Sequence, residues 1–114
     1  RVLFRSFNQP IDDWEFPKVE NMRGMFCRAT SFNQPIGDWE FPNVINMVYM
    51  FCNASSFNQS IGNWKFPNVK YMDNMFCNAS SFNQDLSKWD LKGKIIIGMF
   101  YNCPIKNEYK PKIK

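Results

Sequence analysis

Histidine is absent from this 114-residue chain. That removes the commonest general base, the usual nucleophile–histidine pairs and most zinc sites together. Glycine is sparse, at 5 residues, and the one pair with phosphate-loop spacing, Gly93 and Gly98, precedes Met99 and Phe100 where a lysine and a hydroxyl residue belong. No CxxC pair occurs among the 4 cysteines, so short-spaced zinc and thiol-redox motifs are missing as well. No apolar run approaches the ~18 residues of a membrane span, and nothing in these residues has the layout of a secretory signal. Basic charge is scarce over most of the chain. Residues 1–87 carry seven Lys/Arg against eight Asp/Glu, while residues 88–114 carry seven Lys against Asp90 and Glu108. The formal +4 is therefore a C-terminal property, unlike the basic face of a nucleic-acid reader. Asp12, Asp13 and Glu15 cluster, but Gly37 replaces the first of them one repeat later and no nucleophile joins them. An enzyme is not expected, and neither is a cofactor or a metal.

What the chain has in abundance is aromatic and periodic. Aromatics make up 18%, with 12 Phe and 4 Trp beside 7 Met. At an offset of 25 residues the sequence aligns with itself. The segment SFNQ opens at Ser6, Ser31, Ser56 and Ser81; Trp14, Trp39, Trp64 and Trp89 keep the step. So do Val19, Val44 and Val69, then Met22, Met47 and Met72, then the Met-Phe pairs at 25, 50 and 75. Repeat units are thus placed near 6–30, 31–55, 56–80 and 81–103, forming one domain over 1–103, with 104–114 as a basic C-terminal tail after Pro104. Arg1–Ser6 aligns poorly with Phe26–Ser31 and reads either as a degenerate first cap or as the end of earlier units.

Two periodicities alternate within each unit. Val44, Met47, Met50, Phe51 and Ala54 fall at helical spacing, after a proline that a first turn tolerates. Ser31 to Phe41 reads as a short strand and turn. The resulting expectation is an α/β repeat: a leucine-rich-repeat-like right-handed solenoid of about four coils, each with one short strand and one short helix. Neither half buries its apolar face alone, so neighbouring units must share a core.

Stacking turns each repeated residue into a column. Trp39 and Trp64 are assigned to the core, and Asn33, Asn58 and Asn83, each followed by a glutamine, to amide ladders. Cys27, Cys52 and Cys77 share one column and read as small, reduced, structural side chains, since three thiols in a row cannot surround a metal tetrahedrally. Columns that vary are expected at the surface: Glu15, Glu40, Lys65 and Asp90 form one, and Asp13, Asp38, Asn63 and Lys88 another. On the helical reading Val48 and Tyr49 are exposed and form a candidate contact, as do Lys106, Lys110, Lys112 and Lys114 of the tail.

The unit V-x-x-M-x-x-M-F-x-x-A-x-x-F-N-Q-x-I-x-x-W resembles the repeat of BspA-type leucine-rich surface proteins, over about residues 6–103. The closing Met99-Phe-Tyr-Asn-Cys-Pro-Ile and its lysine tail are most similar to short members from large DNA viruses. The resemblance implies a non-enzymatic scaffold on a virion or cell surface. The expected function is a structural or protein-interaction module whose partners are other proteins, such as capsid or envelope proteins or copies of itself. The alternative is an adhesin fragment that binds a host protein or a glycan. Nucleic acid is not an expected partner.

Overall fold

The hydrogen bonds of residues 45–54 explain why the methionine segment does not become a helix. The computed structural model describes residues 4–112. Met47, Tyr49, Phe51 and Asn53 donate their N–H groups to the carbonyls of Tyr71, Asp73, Met75 and Cys77 in the next unit, at 2.8–3.1 Å. The residues between them behave differently. Met50, Cys52 and Ala54 donate three residues back, to Met47, Tyr49 and Phe51, and Val48 donates to Asn46 Oδ1. Every buried donor must find a partner, and here alternate donors find theirs in the neighbouring unit rather than four residues back along a helix. The same alternation joins residues 22–28 to 46–52 and residues 72–78 to 95–101.

Such a chain of tight turns needs left-handed backbone at fixed places. Gly24, Tyr49, Asn74 and Gly98 form one column with positive φ, and Arg28, Asn53, Asn78 and Asn102 form a second, all between 53° and 66°. Glycine has no Cβ to clash there, and asparagine tolerates the region better than most residues. Two of the eight, Tyr49 and Arg28, carry no such advantage.

The expected right-handed α/β solenoid is therefore corrected. Among the described residues there is no α-helix and no β-strand; the one regular element is a three-residue 3-10 turn, Asn107–Tyr109. Strand-like pairing is reduced to single parallel bridges from Asn21 to Asn46, Asn46 to Tyr71 and Tyr71 to Ile95. The chain is a compact body with a radius of gyration of 12.8 Å, built from turns. The strand expected over Ser31–Phe41 fails for a related reason. Pro35 has no N–H to give, and the Asn33 N–H is taken by a side chain, Asn8 Oδ1, at 2.9 Å.

That side-chain link recurs. Asn33 Oδ1 accepts from the Asn58 N–H and Asn58 Oδ1 from the Asn83 N–H, each at 2.9 Å, and Asn83 Oδ1 receives the Lys106 N–H. Gln34, Gln59 and Gln84 each donate Nε2 to the Asn Oδ1 one unit back. The Asn8, Asn33 and Asn58 side-chain oxygens thus each accept twice from the next unit, once from a backbone N–H and once from a side-chain amide. Asn58→Ala removes the acceptor for two donors and is expected to cost about 1 kcal/mol at this exposed site. Asn58→Asp keeps the oxygen and should lose much less. Urea midpoints of the two variants check the difference.

The core consists of aromatic columns in register. Phe26, Phe51 and Phe76 stack at 5.3 and 5.4 Å, and Trp39, Trp64 and Trp89 at 6.4 and 6.2 Å. A third column, Phe32, Phe57 and Phe82, repeats at 5.9 Å. Met47, Met50, Met72 and Met75 are wholly buried and fill the space beside the rings. Each buried indole also clips one unit to the one before it: Trp39, Trp64 and Trp89 donate Nε1 to the carbonyls of Ile11, Ile36 and Ile61 at 2.9–3.0 Å. Gly37 and Gly62 let the next unit come close, since a Cβ would sit 2.8 Å from the Ser60 carbonyl oxygen in one case and 2.5 Å from that of Asp85 in the other.

Residues 105–111 turn back onto this core. Ile105 and Pro111 are buried, and the Tyr109 carbonyl receives the Leu86 N–H at 2.8 Å. The segment covers the last unit as a lid of chain.

Candidate functional site

The turn that carries Trp and Phe-Pro in the first three units, and Trp89 with Leu91-Lys92 in the last, lies at the same edge of the body, and successive turns line a groove across all four units. At its first half the groove is bordered by Asp12, Asp13, Glu15, Asp38 and Glu40 with no basic side chain among them. Its second half is bordered by Lys65, Lys88, Lys92 and Lys94 with Asp90 alone opposing them. Asp38, Glu40, Asn63 and Lys65 bridge the two halves, so the surface is continuous. The prolines Pro17, Pro42 and Pro67 are exposed along it, and beneath them the Trp column is buried from Trp39 onward. Trp14 differs: it is 41% exposed and, among the described residues, its indole N–H reaches no carbonyl.

Local structure fixes the lysine end. Asn43 and Asn68 each donate Nδ2 to a proline carbonyl of the preceding unit, Pro17 and Pro42, at 2.7 Å. In the last unit Lys94 takes over, donating Nζ to the Val69 carbonyl at 2.6 Å and to that of Phe66 at 3.3 Å. Its ammonium lies 5.5 Å from the Phe66 ring centre. Burial lowers the Lys94 pKa, and Asp90 works against that shift. The other groove charges, Glu15, Glu40, Lys65 and Lys88 among them, are exposed and free to meet a partner.

The cysteine column lies away from the groove. Cys27, Cys52, Cys77 and Cys103 are all free thiols, and Cys52 is buried. Burial first, then the neighbouring thiols Cys77 and Cys27, push the Cys52 pKa from its ordinary 9.0 up to about 12. The folded state thus holds this proton more tightly than the unfolded chain does. Its contribution to stability is complete below about pH 9 and is lost as pH rises from there toward 12. A thiol that stays protonated is a poor nucleophile. Iodoacetamide at pH 8 should therefore spare Cys52 in the folded chain and label it in urea, as mass spectrometry of tryptic peptides would show. Cys52→Ala should cost less than ~2 kcal/mol, the loss of one small buried group.

Other anticipated contacts fall elsewhere. Val48 is buried and Tyr49 half-buried beneath Arg23, whose guanidinium carbon stands 4.9 Å from the ring centre. The pair is not the exposed patch that a helical stripe implied, because Tyr49 sits at a left-handed turn rather than on a helix face. Lys106 lies 5.5 Å over the Tyr109 ring and Lys110 5.9 Å over Phe100, so both belong to the cover of the last unit. Lys112 is exposed, next to Asp90 and Lys92 at the end of the groove. Lys114 lies outside the described residues. Sequence reasoning had the charged columns one by one; reading their sign along the stacking direction would have shown the groove's polarity. It missed the left-handed columns too, although glycine and asparagine at 24, 74 and 98, and asparagine at 53, 78 and 102, were a visible signal.

Among the described residues no three metal-binding side chains come together to hold an ion, and no helix is long and apolar enough to cross a membrane. No curated protein and no solved structure matches the chain. One family model does, the one described as "Mycoplasma protein of unknown function, DUF285", and it spans residues 2–111. With the 25-residue units, the M-F and F-N-Q columns and a match over nearly the whole length, this chain belongs to the DUF285 family of BspA-like repeat proteins.

Proposed function

We propose that the chain is a non-enzymatic protein-interaction module, displayed on a virion or cell envelope, with the charged groove as its contact face. The observation that carries the reading is the groove: carboxylates border one half, lysines the other, and prolines line the surface between. A charged rim around a partly apolar groove suits a protein partner, with the charges setting orientation and encounter rate. Rigid backing supports it further, because each Phe-Pro turn rests on a stacked indole. The glycan alternative has less behind it, since Trp39, Trp64 and Trp89 are core residues and Trp14 alone of the four tryptophans offers a ring to a sugar. The viral part of the proposal rests on the resemblance of Met99–Ile105 and the lysines after it to short viral members.

Amine-reactive cross-linking of the chain in its native particle or envelope tests this. Lys65, Lys88 and Lys92 should link to protein neighbours and lose reactivity relative to Lys70, which lies outside the groove. Groove lysines that react equally in assembled and isolated material would overturn the reading.

A further inference from the structure

We infer that the partner at this groove is a second copy of the same chain, docked antiparallel about a two-fold axis. The inference rests on the interaction reading above and names its partner.

The reasoning starts from the order of charge along the groove. The acidic side chains come from the first two units and the basic ones from the last two. One column reads Glu15, Glu40, Lys65, Asp90, its last member the one carboxylate of the basic half, and its neighbour reads Asp13, Asp38, Asn63, Lys88. A surface with opposite charge at its two ends is complementary to itself when turned end for end. Two copies related by a two-fold perpendicular to the stack place the carboxylates of each against the lysines of the other, and both contacts form at once. Such an isologous interface closes on itself and stops at a dimer. A parallel arrangement sets carboxylate on carboxylate and lysine on lysine, so the same charges reject it.

Distance supports the choice. Stacked backbones lie about 4.8 Å apart, so the middles of the acidic and basic halves are separated by about 10 Å, comparable to the screening length in ~0.1 M salt. Each half therefore acts as a distinct patch, and attraction between copies must fade as salt rises. The floor contributes as well. Pro17, Pro42 and Pro67 stand exposed, Phe16 is half-buried and Trp14 is uncovered; these are apolar surfaces that a facing copy would cover. Stacking end to end is the less favoured geometry. The last unit is already covered by Ile105, Tyr109 and Pro111 with lysines over its rings.

Sedimentation velocity on the full chain over a concentration series tests the inference, at about 10 mM salt, where screening reaches ~30 Å, and at about 1 M, where it is ~3 Å. A dimer that weakens with salt is expected. Two variants follow, Glu15→Lys with Glu40→Lys, and Lys65→Glu with Lys88→Glu; all four side chains are exposed, and unchanged circular dichroism confirms the fold. Each variant alone should associate about tenfold more weakly or worse. Mixed together they should form a salt-sensitive heterodimer that recovers much of the wild-type affinity, because the reversed positions then face each other with opposite sign. A wild type that stays monomeric at low salt overturns the inference, as does a dimer indifferent to both reversals or a mixture that fails to pair. Cross-links from Lys65 and Lys88 to a different protein, with the isolated chain monomeric, would overturn self-association while leaving the interaction module standing.

Discussion

Phe51→Ala should cost about 3–5 kcal/mol, the range for truncating a buried aromatic ring. The ring is fully buried and lies between Phe26 and Phe76, at 5.3 and 5.4 Å with interplanar angles of 3° and 5°. It also stacks on Phe57 at 4.3 Å within its own unit. Removing it opens a void bounded by rings that backbone bonds hold in place: the Phe26 N–H is tied to the Met50 carbonyl and the Phe51 N–H to that of Met75. The site therefore has little freedom to collapse, and the cost belongs at the upper end. A chain of this size should lose roughly 10–20 °C in Tm, out of a total stability on the order of 5–15 kcal/mol. Phe4, 82% exposed, serves as the control, and Phe4→Ala should change little. Phe100→Ala should fall between them, because that ring is only half-buried at the end of the column. Thermal melts of the three variants check the order. Equal losses at Phe51 and Phe100 would mean that the columns are not the source of stability.

Trp64→Phe should cost about 2–4 kcal/mol, for a separate reason. The indole stacks between Trp39 and Trp89 and meets Phe41 edge-on at 4.7 Å. Phenylalanine keeps much of that contact. It cannot replace the N–H that reaches the Ile36 carbonyl at 2.9 Å in the core. A buried carbonyl deprived of its donor costs ~1–3 kcal/mol, and the smaller ring adds a cavity. Trp14→Phe makes the same chemical change where no such bond exists among the described residues, and should be nearly neutral. The contrast between the two substitutions isolates the bond from the ring. The urea midpoint and m-value of each variant give the measurement, and similar losses at both positions would contradict the clip.

The two columns also give the groove a rigid backing, which the proposed recognition role would use. Its charges sit on turns, which in most proteins are the mobile parts. Here each of the three Phe-Pro turns is pinned from below by a stacked Trp and from the side by an asparagine or lysine that reaches back one unit. Preorganised charge loses less on binding than charge that must first be ordered.

The 25-residue repeat, the aromatic and methionine core, and the alignment of like residues into columns could all be read from the sequence. So could the surface position of Glu15, Glu40 and Lys65, since their column changes charge from unit to unit. Apolar patterning is written residue by residue and needs no partner to be seen. The secondary structure was not legible in this way. Met47, Met50, Phe51 and Ala54 have helical spacing, yet their donors divide between a carbonyl three residues back and one in the next unit. Which partner wins depends on whether a neighbouring unit supplies a carbonyl at that height, and only the assembled stack provides one. The same holds for Val48 and Tyr49, whose burial follows from a left-handed turn that a helical wheel cannot represent. The polarity of the groove is a third case: five carboxylates and four lysines are scattered over more than 80 residues, and they form one face only because stacking brings position 15 of the chain into line with 40, 65 and 90. Sequence alone determined what is repeated and which aromatic and methionine columns build the core. Tertiary structure decided how each backbone donor is satisfied, and thereby which charges share a surface.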